Sequence, residues 1–225
     1  MGFLRKVWAI VRKDVITELR TKEMLSSMFV FALLVIVIFN FAFDPGMENI
    51  VEVAPGILWV AFTFAGVLGL NRSFILEKEK ECMQGLLLAP IDRGAIYMGK
   101  MMGNVLFMFV VEAITLPFFA IFFNFSIFHL LPQLALIIVL STIGFASVGT
   151  VFSAMSVSTK TREVMLPILL FPIVVPVIIA AVKSTGNILD GKSLSDIAAW
   201  LKLLGAFDVI FLVVSFLTFE YVIEE

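Results

Sequence analysis

Few side chains in this 225-residue sequence have chemistry to offer. There is one cysteine, Cys82, and one histidine, His129. A lone cysteine excludes an internal disulfide framework and a cysteine-based metal cluster. A lone histidine excludes a two-histidine metal or haem site within one chain. The richest motif is Gly94-Ala-Ile-Tyr-Met-Gly99-Lys100, most of the phosphate-cradling pattern G-x-x-x-x-G-K-[ST]. Met101 stands where the magnesium-binding hydroxyl belongs, no strand precedes the motif, and an apolar span begins inside it. Chance similarity is therefore the reading, and ATP is not bound by that route. Serine-histidine-acid catalysis would have to use His129, at an apolar turn, and no paired carboxylates sit at a plausible spacing in one span. No catalytic or metal site is expected, so the chain is not read as an enzyme.

Two acids remain, Glu112 and Asp208, each inside an apolar stretch. Such a group costs about 2.5–3.5 kcal/mol at mid-bilayer on the insertion scale, so each is a candidate membrane-embedded polar site. Structural readings stand beside the functional ones. Glu112 is protonated or hydrogen-bonded at a helix contact, and Asp208 lies only about two turns into its span. His129 is either a lone axial haem ligand or a surface histidine at an interfacial turn.

The elements that hold these residues follow from composition. The chain is 61% hydrophobic and 15% charged, with a mean hydropathy of +1.09, against about 45–50% and about 25% in soluble domains. That is an all-α polytopic membrane protein, because only helices or closed barrels satisfy the backbone in lipid. Six stretches reach the roughly 20 residues a span needs: about 24–43, 55–74, 97–123, 132–156, 164–182 and 201–222. One transmembrane domain over 1–225 is expected. The first apolar run reads as a retained anchor rather than a cleaved signal peptide. Thirteen of the sixteen basic residues lie in 1–24, 71–100 and 157–163. By the positive-inside rule those segments and both termini are cytoplasmic, as in a bacterial inner membrane. There is no basic tail and no stripe of basic and aromatic residues, so nucleic acid is not an expected partner.

Residues 3–22 are too charged to cross. At about 100° per residue, Phe3, Leu4, Val7, Trp8, Ile10, Val11, Val15 and Leu19 share one broad face. This is an amphipathic helix in the membrane interface, in contact with lipid. Asp14 and Glu18 intrude on that face, either against protein or paired with Arg12 or Arg20 near the headgroups. Trp8, Trp59 and Trp200 read as interfacial belt anchors. The fifth span holds Pro167, Pro172 and Pro176, for kinked packing or for a mobile gate. In the fourth, Gly144, Ala146, Ser147, Gly149, Ser153 and Ala154 allow close helix approach, within the chain or across a dimer.

The loop between the second and third spans alternates charge over Glu77, Lys78, Glu79, Lys80 and Glu81, then turns apolar at Leu86-Leu87-Leu88-Ala89-Pro90. An apolar turn between charged runs outside the bilayer suggests docking on another protein, or a short helix touching only lipid. Glu77-Lys78-Glu79-Lys80, Leu86-Leu87, Pro90-Ile91, Arg93 and Gly99-Lys100 together resemble the first cytoplasmic loop of ABC-2 type permeases, E-[RK]-E-[KR]-G-[ST]-L-E-x-L-L-x-[ST]-P-[IV]-x-R…G-K. "APGILWVAFTFAGVLGLNRSF" (54–74) and "GFASVGTVFSAMSVSTKTREVMLPILLFPIVVPVIIAAV" (144–182) are similar to the CcmB family, permease subunits of the system I cytochrome c maturation transporter. Glu81 and Met83-Gln84-Gly85 depart from the pattern, where relatives carry Gly and Leu-Glu-Gln.

The resemblance implies an ABC-2 fold (type V exporter-like) and a homodimer on a CcmA-like ATPase that holds ATP and Mg, with a CcmC-like haem-handling membrane protein alongside. ATP use would be tied to haem delivery, or to release of the haem-loaded chaperone CcmE, on the outer side. Glu77, Glu79, Leu86, Leu87, Pro90 and Arg93 would couple to the ATPase, with Lys160, Arg162 and Glu163 a second cytoplasmic contact. The alternative is an ABC-2 exporter of a lipid, drug or polysaccharide.

Overall fold

The computed structural model describes residues 2–43, 50–79, 85, 91–157, 159 and 161–224. Among them the chain forms seven long α-helices and no strand. α1 (Phe3–Thr21) is followed by α2 (Glu23–Ala42), α3 (Ile50–Glu79) and α4 (Arg93–Phe122). A 3-10 turn (Phe128–Leu130) leads into α5 (Leu131–Val157), α6 (Arg162–Leu189) and α7 (Ala198–Glu224). α2 to α7 are long and apolar enough to cross a membrane. This is a multi-pass membrane protein, and each of the six expected spans lies in its own helix.

α3 and α5 are the most buried spans and form the centre of the bundle. α3 packs on α2, α4, α5 and α6, and α5 packs on α3, α4, α6 and α7. The small residues of α5 explain how. A side chain at Gly149 would run into the fully buried Leu70 of α3, and Ser153 Oγ donates to the Leu70 carbonyl at 2.6 Å. Close approach here is made within the chain. α6 continues unbroken through Pro167, Pro172 and Pro176.

α1 and α2 meet through one residue, Lys22, in the left-handed region (φ 56°). Its N–H donates to the Glu18 carbonyl at 2.7 Å. The Glu18 carboxylate accepts from the Leu25 N–H at 2.8 Å, satisfying a free donor in the first turn of α2. That is why an acid sits on the apolar face of α1: it contacts protein rather than Arg12 or Arg20. Phe3 of α1 meets Phe216 near the end of α7 at 6.4 Å, so both ends of the chain lie at one end of the bundle, the basic end.

One interfacial expectation is corrected. Trp59 is buried inside the bundle, and its Nε1 donates to Thr185 Oγ1 of α6 at 2.9 Å. The second span was expected from residue 55, but α3 begins at Ile50, which sets Trp59 more than a turn deeper. Trp8 is exposed.

Gly149→Val should destabilise the detergent-solubilised protein by about 1–3 kcal/mol, the usual cost of overpacking a closed contact. Gly205→Ala, where nothing lies within 4 Å of the new carbon, should cost nothing. Thermal unfolding of the two variants checks this, and equal melting temperatures would contradict the packing.

Candidate functional site

At the basic end, α3 outlasts its apolar run, which ends at Leu76 in the sequence, and carries Glu77 beyond it. α4 starts where Asp92 caps it, accepting from the Gly94 N–H at 2.8 Å. The segment that imitates a phosphate loop is thus the opening of a helix. Two turns in, Gly99 and Lys100 show what the glycine-lysine pair does in this chain. A side chain at Gly99 would lie 2.7 Å from Ile10 Cβ, so glycine lets α1 cross directly over α4. Lys100 is then enclosed, only 1% exposed.

An enclosed ammonium needs countercharge. Lys100 Nζ donates to Glu77 Oε1 and pairs with Asp14 Oδ2 at 3.0 Å. Lys13 Nζ reaches the same Glu77 oxygen and Asp14 Oδ1 at 3.2 Å. The Phe74 ring lies 5.6 Å from Lys100 Nζ, within cation–π range. Two acids and two lysines from α1, α3 and α4 thus form one neutral cluster. Burial pushes the Glu77 carboxyl up, but the charge and hydrogen bond of Lys100, helped by Lys13, outweigh it and hold Glu77 below the ordinary carboxylate range. Burial pulls Lys13 down, and Asp14 and Glu77 more than offset it, leaving Lys13 above its usual value. Glu77 therefore adds stability above the ordinary carboxylate range, lost as pH falls through its depressed value. Lys13 adds stability below the ordinary lysine range, lost as pH rises through its raised value.

Of the residues expected to contact an ATPase, Glu77 is in this cluster, 5% exposed. Arg93 opens α4, half-buried, and Glu163 is exposed in the first turn of α6. Leu86, Leu87, Pro90 and Lys160 lie outside the described residues, as do the side chains of Glu79 and Arg162. Sequence reasoning noted Asp14 as an acid on the apolar face of α1 and Lys100 as part of the loop motif, but assigned neither of them, nor Lys13, to a site. The available signals were an acid on the apolar face of α1 and the lysine that closes the loop motif.

The two membrane acids are kept apart. Glu112 accepts from Thr142 Oγ1 of α5 at 2.8 Å, and its second oxygen is buried without a partner among the described residues. Glu112 also lines the inner part of an apolar groove of about 560 Å³ between α4 and α5. Asp208 of α7 lies over Gly144 of α5, where an added Cβ would be 2.5 Å from its Oδ1. Glu112 thus joins α4 to α5 by a hydrogen bond, whereas Asp208 Oδ1 is buried against α5 without a partner among the described residues, and the two acids share no described partner. His129 is exposed in the 3-10 turn.

The family described as CcmB protein matches residues 5–224 of this chain. The chain is 28% identical over 182 residues to Heme exporter protein B of Pseudomonas aeruginosa, covering 81% of each chain. It is 29% identical over 154 residues to Heme exporter protein B of Rhodobacter capsulatus, covering 66% of this chain and 68% of the relative. Against Heme exporter protein B of Haemophilus influenzae it is 23% identical over 198 residues, 88% of this chain and 87% of the relative.

Leaving one buried charge of the cluster without its partner should cost about 3 kcal/mol or more. Lys100→Met and Glu77→Gln should each lower the unfolding midpoint in detergent, and Glu77→Gln/Lys100→Met should lower it by less than the two losses added. Strict additivity of the two losses would show that Glu77 and Lys100 do not interact.

Proposed function

The chain belongs to the CcmB family, and on that premise we propose that it is the membrane permease subunit of an ABC-type haem exporter for cytochrome c maturation. ATP is hydrolysed in a separate CcmA-like subunit, which carries the nucleotide and Mg. This chain converts that work into haem delivery, or into release of a haem-loaded chaperone, on the outer side of the inner membrane. The name Heme exporter protein B, shared by its relatives, supports haem as the handled ligand. Thirteen of sixteen basic residues at one end support cytoplasmic termini and a cytoplasmic charged loop. Two copies assemble on the ATPase, with a CcmC-like membrane protein alongside.

The observation that carries the coupling mechanism is the ion cluster. Glu77 and Lys100 open and close the loop motif, and each is also tied to α1. A push on the loop therefore reaches α1, α3 and α4 together. In this mechanism Glu77 transmits motion without touching the ATPase. Glu79, Leu86, Leu87, Pro90 and Arg93 form the contact, and Lys160, Arg162 and Glu163 a second one. Glu112 belongs to the helix frame through its bond to Thr142 of α5, and Asp208 lies against Gly144 of the same helix.

Glu79→Arg should lower recovery of the ATPase on a tagged chain by about tenfold, the effect of one reversed charge at an interface. Insertion into the membrane should be unchanged. An ATPase recovered at wild-type yield would remove Glu79 from the contact, and failure to recover any ATPase with the wild-type chain would end the reading.

A further inference from the structure

The broad apolar face of α1 is divided by the fold. Val7, Ile10, Val11 and Glu18 are buried on the protein. Leu4, Trp8 and Leu19 remain 80%, 64% and 61% exposed. Helix geometry places these three in one strip beside the buried one. Next around the helix come Arg12 and Arg5, then Arg20, all exposed and without an ion pair among the described residues. Lys13 turns to Glu77 and Asp14, while Arg12 and Arg5 adjoin the apolar strip and Arg20 stands between them and Lys13.

The depth of this surface follows from the elbow. α1 is joined by Lys22 alone to α2, a membrane span whose first residue, Glu23, pairs with Arg72 at the basic end of α3. The one-residue joint sets the C-terminal end of α1 at the level where α2 enters the bilayer, and Phe3 against Phe216, inside the apolar part of α7, sets its other end at the same side of the membrane. At that level, large apolar side chains reach the acyl boundary, and the neighbouring guanidinium groups stand among phosphates. Arginine suits that position because its planar fork binds phosphate oxygens in pairs.

We infer that α1 is a binding surface for anionic phospholipid, with Leu4, Trp8 and Leu19 seated at the acyl boundary and Arg5, Arg12 and Arg20 holding the headgroups. The same helix carries Lys13 and Asp14, so lipid contact and ion cluster belong to one rigid element. This holds whether or not an ATPase binds the loop.

The test uses the full chain reconstituted in phosphatidylcholine vesicles with a trace of spin-labelled phosphatidylglycerol or spin-labelled phosphatidylcholine. The wild type should immobilise the glycerol lipid preferentially, and salt should weaken the preference. A basic residue near an anionic surface is worth about a fivefold preference at low salt. Arg5→Gln/Arg12→Gln/Arg20→Gln should therefore lose most of it. Lys183→Gln/Lys192→Gln/Lys202→Gln removes the same charge from the other end of the bundle and should keep it. No preference in the wild type, an unchanged preference in the arginine variant, or an equal loss in the lysine variant would each overturn the inference.

Discussion

One buried ammonium group organises the basic end of this protein. Lys100 is enclosed where α1 crosses α4, and an enclosed charge persists only if opposite charge is brought to it. Glu77 comes from α3 and Asp14 from α1, with Lys13 balancing the second acid. Meeting that requirement extends α3 past its apolar part, docks α1 against α4 and fixes the register of the first turns of α4. The loop between α3 and α4 thus leaves from and returns to a single ion cluster. A cluster built this way is costly to break at one member, which favours movement of the three helices as a unit.

Deeper in the membrane the same logic runs through single hydrogen bonds between helices. Asn104 donates to Thr150, Trp59 to Thr185, Ser153 to the Leu70 carbonyl and Thr142 to Glu112. Each contact joins two helices, and in lipid no water replaces a partner that leaves. With glycines admitting close crossings at Gly149 and Gly144, α3 and α5 form a stiff centre on which the other spans are hung. On the proposed coupling, a displacement entering at Glu77 passes along α3 instead of being absorbed at its base. On the proposed function, that is how a permease without its own nucleotide site responds to one.

Much of this was legible in the sequence. Hydropathy located all six spans, because a continuous apolar run of membrane length has few other uses. The 3.6-residue period located α1. What a period cannot carry is partnership. Lys100 lies 23 residues from Glu77 and 86 from Asp14, and no local pattern says that they meet. For Glu18 the sequence left contact with protein and pairing with Arg12 or Arg20 both open, and only its bond to the start of α2 decides between them. The face of α1 read as one surface because periodicity records polarity, whereas the fold splits that face between protein and exposure. Trp59 was misplaced for a related reason: composition marks where apolarity begins, and α3 begins a turn earlier.

The most direct test is uncoupling of the assembled complex. Glu77→Gln/Lys100→Gln removes one charge of each sign, leaving Lys13 and Asp14 paired and no net charge in the cluster. ATP hydrolysis and release of the haem-loaded chaperone should be measured on the same purified assembly. The account predicts intact assembly and continued hydrolysis with release lost. Release at the wild-type rate per ATP hydrolysed would contradict it.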